Sequence, residues 1–173
     1  MGIVARTRGA NIALAVALIV GRASGAPPAG GESATRAADA AAAALAICDR
    51  ADELTGQERT RTLSHGLELA EHAVATDQFD ARAHFAVFCN LGKQAQQASV
   101  VRQALVVGRL KHEIDSALAL DPDDPQVLVA KGVLLVELPP FLGGDAAQGE
   151  ALLRAALTKD PSNRVARRYL DLR

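Results

Sequence analysis

Tryptophan is absent from this chain, tyrosine occurs once and phenylalanine four times, so aromatics make up only 3% of the residues. Proteins that grip single-stranded nucleic acid stack bases on aromatic rings, and few are available here. Charge of one sign is missing too. Lys and Arg number 19 against 20 Asp and Glu, a formal net charge of −1, without the basic footprint that a phosphate backbone attracts. Both absences point away from nucleic acid. No window alternates apolar and polar residues with the two-residue period of a half-buried strand. No HExxH occurs, and no two of His65, His72, His84 and His112 stand four apart as zinc ligands on a helix would.

What remains is 49% hydrophobic, which excludes a disordered chain, and most of it is Ala, Leu and Val. Ala and Leu are the strongest helix formers, and small Ala side chains let helices pack closely. The composition therefore predicts an all-α domain, and 173 residues suffice for one core.

The first residues read as an address. Arg6 and Arg8 precede the apolar run Ile12–Val20, and small residues follow in GRASGAPPAGG. That order matches a secretory signal, and nine apolar residues fall short of the roughly 20 that span a bilayer. Residues 1–25 are read as a cleaved signal, with an uncleaved anchor as the competing reading. Removing them leaves 16 basic against 20 acidic residues, −4 overall, and no membrane span in the mature chain. Residues 26–33 read as a Pro/Gly linker, and residues 34–173 as the helical domain. Export makes Cys48 and Cys89 a disulfide candidate, since that compartment is oxidising; the alternative is two small buried hydrophobes on separate helices.

An internal repeat organises the helical part. EHAVATDQFDARAHF (71–85), DSALALDPDDPQVLV (115–129) and RAALTKDPSNRVARR (154–168) each carry Ala, an apolar residue and then Asp. Pro follows the Asp in the second and third. The shared Ala73, Ala117 and Ala156 lie 44 and 39 residues apart, as in a helical repeat array. The Ala fits where two helices touch, and Asp-Pro ends one helix before a new N-cap starts the next. Asp80, Asp124 with Pro125, and Asp145 with Gln148 are such starts, and Thr55 with Glu58 has capping-box spacing. Gly108 reads as a break within a helix running from Ser99 to Leu120, whose apolar stripe holds Val101, Leu105, Ile114 and Leu118. About seven helices result.

This layout resembles the tetratricopeptide repeat (TPR). On that resemblance Gly132, Ala117, Pro122, Ala156 and Pro161 occupy the family's small-residue and proline positions, while Phe88 and Gln78 depart from them. The family period is about 34, so these units carry insertions. The run AHFAVFCNLGKQAQQASVVRQALVVGRLKHEIDSALALDPDDPQVLVAKGVLLVELP is similar to the core of the regulator of microtubule dynamics family. LPPFLGGDAAQGEALLRAALTKDP resembles a segment of bacterial periplasmic TPR proteins associated with TRAP transporters. The matches cover about residues 80–165. They imply a TPR-like right-handed superhelical array of antiparallel helix pairs, in a periplasmic or secreted bacterial protein. The implied role is a non-enzymatic scaffold for protein–protein interaction, or else a ligand-handling accessory of a periplasmic transport system.

The residues themselves offer little chemistry. Ser64-His65 and His112-Glu113 are adjacent on helices and point apart, so the histidines read as partly exposed packing residues. Asp121, Asp123 and Asp124 lack the Gly and distal Glu of a calcium loop, and Asp49, Asp52 and Glu53 read as a solvated face. No nucleophile, base, metal or cofactor constellation emerges, and an enzyme is not expected. The inner-face positions of the repeats would be Arg82, Phe85, Cys89 and Lys93, then Gln126, Val129, Val133 and Val136. With two cations and an apolar second set, they suit a groove for a peptide, an apolar small ligand or a neighbouring subunit; the same valines would equally serve as core. Between Pro139-Pro140 and Asp145, the lengthened turn carries Phe141 and Leu142, which either plug the array or reach a partner.

Overall fold

The computed structural model describes residues 29–171. They form α1 (Ala29–Arg50), α2 (Gly56–Thr76), α3 (Ala81–Gln96), α4 (Val100–Leu120), α5 (Pro125–Glu137), α6 (Ala146–Lys159) and α7 (Arg164–Asp171), with 3₁₀ turns at Ala51–Glu53 and Pro140–Leu142. The fold is all-helical, with no strand among the described residues. The signal reading of residues 1–25 lies outside the described residues. Of the linker expected at 26–33, residues 29–33 already belong to α1, whose first turn carries Glu32 where the helix dipole favours an acid.

Local chemistry sets most helix starts. The Asp80 carboxylate accepts the Arg82 amide at 2.8 Å, Asp124 accepts those of Gln126 and Val127 at 2.7 and 3.3 Å, and Asp145 accepts that of Gln148 at 2.9 Å. Asn163 does the same for Ala166 at 3.0 Å. Each satisfies helix N–H groups that have no partner within the helix. The start at Thr55 differs from expectation. Thr55 occupies the N-cap, yet its hydroxyl makes no capping bond. Gly56 beside it takes a left-handed φ of 57°, which breaks the regular first turn a capping box requires. Gly108 also departs from expectation, because α4 runs through it without a break. A helical glycine costs only about 1 kcal/mol, and Val107, Leu110, Ile114 and Ala117 hold α4 against its neighbours.

The helices pack in consecutive pairs, α1 with α2, α3 with α4, and α5 with α6. Between the first two pairs, α3 lies against both α1 and α2, while α7 closes the far end on α6 and α5. The repeat alanines Ala73, Ala117 and Ala156 are fully buried at these contacts, as the sequence predicts. Around α1, α2 and α3 the core is built of Ala37, Ala41, Ala44, Ala70, Ala83 and Ala86. Gly66 belongs to the same logic: a Cβ there would stand 2.7 Å from Ile47 Cγ2 and would collide with the Asn90 amide. Asn90 Nδ2 donates to the Ala44 carbonyl at 3.0 Å and to that of Ala86 at 2.9 Å, keying α3 to α1. Cys48 and Cys89 are disulfide-bonded across the same contact, with Cα atoms 6.2 Å apart. Toward α5 the packing changes. Phe85 and Phe88 stack with ring centroids 6.3 Å apart and meet the cluster of Ile114, Ala117 and Val127, so α3 reaches α5 through rings rather than by close backbone approach.

Candidate functional site

The inner-face valines of α5 pack against α6. Val129 is 8% exposed, and Val133 and Val136 pack with it against Leu153 and Ala156. Gly132 explains why. A Cβ there would fall 2.8 Å from Leu153 Cγ and 2.9 Å from the Gly149 carbonyl oxygen. With no side chain at 132, α6 comes in close and draws the flanking valines toward the core. Val129 is therefore core, while Val133 and Val136 pack against that core and stay partly exposed.

Phe85 is half-buried in the Ile114–Val127 cluster. Lys93 is not free to bind a partner: its Nζ donates to the Cys48 carbonyl at 2.8 Å and to Asp52 at 2.7 Å, tying α3 to the end of α1. Arg82 alone of this set is solvent-facing, without an ion pair among the described residues. Phe141 does not plug the array. It is 85% exposed, whereas Leu142 is half-buried beside it.

Two arrangements escape the sequence reading. The first lies on α4. Val101 and Leu105, expected in its core stripe, stand 71% and 78% exposed, and Val100 stands 79% exposed. The buried stripe is Val107, Leu110, Glu113, Ile114 and Ala117, on the opposite side of the helix. The second is a buried charge network. His84 was expected to be a partly exposed packing residue, but its side chain is 8% exposed and meets that of Glu113, 9% exposed, at 2.7 Å through Nδ1. Nε2 faces the Gln78 carbonyl at 3.0 Å, so both ring nitrogens are opposite acceptors. Both ring nitrogens are thus engaged, one by α4 and one by the chain that leads into α3. Arg109 extends the network, with Nε 3.6 Å from Glu113 and Nη2 2.6 Å from Glu71 on α2. The His112 ring stands edge-on to His84, centroids 6.5 Å apart. A carboxylate at a core position of α4, between Leu110 and Ala117, was the sequence signal for this pair.

This network ties α4 to α3 through His84 and to α2 through Glu71. With Glu113 opposite Nδ1 and the Gln78 carbonyl opposite Nε2, neither nitrogen of His84 faces open space. Among the described residues, no group of three or more His, Cys, Asp or Glu is placed to hold a metal ion. Two concavities of the described residues are open surface clefts. One, of about 450 Å³, is lined by Ile47, Arg50, Leu54, Glu58, Arg61, Thr62 and His65 between α1 and α2. The other, of about 490 Å³, lies beside Glu137 and Tyr169, where burial foremost, and then Glu137, raise the Tyr169 phenol above its ordinary 10.0. Neither a protein-family model nor a curated protein matches the chain.

Proposed function

We propose that the chain is an exported, non-enzymatic scaffold, a TPR-like right-handed superhelical array whose role is to bind a partner protein in the periplasm or outside the cell. The observation that carries this is the run of large apolar side chains standing in solvent on α4, Val100, Val101 and Leu105 at 79, 71 and 78% exposure; Phe79 and Phe141 stand likewise exposed in the turns before α3 and after α5. Contiguous exposed apolar residues mark contact surfaces, and these serve no packing purpose within the described fold. Consecutive helix pairs with Ala73, Ala117 and Ala156 sealed at their contacts support the repeat reading. The Cys48–Cys89 bridge supports an oxidising compartment. Affinity capture from periplasmic extract tests the proposal, with recovery of a partner in stoichiometric amount as the expected result. Recovery of nothing above an unrelated exported control counts against it.

The ligand-handling alternative draws on the cleft between α1 and α2, whose volume of about 450 Å³ lies within the range of small-molecule sites. Mass spectrometry of the purified chain separates the two readings, since a co-purifying small molecule belongs only to the second.

A further inference from the structure

The exposed face of α4 has a chemistry of its own. Positions 101, 104, 105 and 108 fall on one stripe of the helix, opposite the buried one. Val101 and Leu105 supply apolar bulk, and Ala104 and Gly108 leave low ground between them. Nothing lies within 4 Å of where a Gly108 Cβ would stand. A helix backbone can approach there as α6 approaches Gly132 on α5.

The charge around this stripe is one-sided. From Val100 to His112, α4 carries Arg102, Arg109 and Lys111 but no Asp or Glu, in a chain with a slight acidic excess. The acids that reach α4 there from the rest of the fold are already engaged: Glu71 by Arg109, and Glu113 by His84 and Arg109. Arg102 stands exposed at the flank of the stripe, with no ion pair among the described residues.

We propose that the outer face of α4 is the docking site for an amphipathic helix of a partner protein, one that carries Asp or Glu along the edge of its apolar stripe. This rests on the scaffold reading and deepens it by naming the face and the partner's chemistry. The partner's apolar residues lie along Val101 and Leu105, its backbone descends over Ala104 and Gly108, and its carboxylates meet Arg102. A second copy of this chain fits poorly, because α4 against α4 would oppose arginine to arginine. A lipid surface also fits poorly: the stripe has no aromatic residue to anchor in headgroups, and a Gly108 hollow serves a helix rather than acyl chains.

A photo-crosslinking amino acid at position 104 of the full chain, irradiated in the native host, tests the proposal. The expected product is an adduct to a partner segment with apolar residues at helical spacing and flanking Asp or Glu. Leu105→Glu and Arg102→Glu, both at exposed positions, should each lower the adduct yield roughly tenfold or more while leaving the melting curve unchanged. An adduct to lipid, to a second copy, or to a segment without acidic flanks overturns the proposal, as does an adduct indifferent to both substitutions. If affinity capture recovers a partner while position 104 stays silent, the scaffold reading stands and this face falls. If neither yields a partner, both fall.

Discussion

Breaking the His84–Glu113 clasp by replacing Glu113 with leucine removes the acceptor and keeps the volume. The two side chains are 8% and 9% exposed and 2.7 Å apart, so water cannot take the place of the missing carboxylate. Removing one member of such a buried pair costs about 3–5 kcal/mol, because the other is left buried without its hydrogen-bond partner. His84→Leu should cost about as much, since Glu113 then keeps only Arg109, whose Nε is 3.6 Å away and whose side chain is 46% exposed. The double variant, His84→Leu with Glu113→Leu, replaces both by apolar groups, an exchange that buried ion pairs tolerate far better than loss of one partner. It should be more stable than either single variant. Urea unfolding with the disulfide intact measures this. With an m-value of about 2 kcal/mol/M, a loss of about 3 kcal/mol moves the midpoint down by about 1.5 M. The reasoning fails if the double variant loses the sum of the two single losses, since the groups would then act independently.

Three further outcomes follow from the packing and the bridge. Gly132→Ala should destabilise by about 1–3 kcal/mol, because its Cβ would press on Leu153 and the Gly149 carbonyl; Gly108→Ala, with nothing within 4 Å, should stabilise by about 0.5–1 kcal/mol, and thermal melting of the two separates them. Replacing Cys48 and Cys89 with serine frees a 41-residue separation, worth about 4 kcal/mol of chain entropy, so the melting temperature should fall by about 10 °C and added reductant should have no further effect. Tyr169 is the only tyrosine and there is no tryptophan, so a near-ultraviolet alkaline titration reports it alone; its midpoint should lie above 10.0 and fall toward that value in Glu137→Gln. Because the folded phenol holds its proton longer than the unfolded one, this contribution to stability is present below pH 10 and lost as the pH rises through the folded value.

Where an answer depended on neighbours in sequence, it was legible. Asp80, Asp124 and Asp145 each stand directly before a helical run, and the carboxylate-to-amide bond that fixes the start spans two or three residues. Ala73, Ala117 and Ala156 are small at a repeating place, and small residues at such places lie at helix contacts. Thr55 and Glu58 had the right spacing and still formed no box, because the backbone of Gly56 between them decides the geometry. His84 and Glu113 are 29 residues apart, and only the pairing of α3 with α4 brings them together. On α4 the difficulty was different. Apolar residues occur on both sides, Val101 and Leu105 on one and Leu110, Ile114 and Ala117 on the other, so a helical period fits either stripe equally. Which stripe is buried is settled by α3, which packs on one side only.

Small residues on helices gave both the best and the worst guidance. Gly66 lets Ile47 and Asn90 close over α2, and Gly132 lets α6 settle on α5 with Val129 buried and Val133 and Val136 packed beside it. At those positions a missing side chain is matched by an atom that fills its place. Gly108 has the same residue type, lies within a continuous helix between Val107 and Arg109, and has no such atom. A glycine in a helix interior costs stability unless something approaches it closely. Within the described fold nothing does, and an approaching helix from another chain would offset that cost at the place where Val101 and Leu105 stand in solvent.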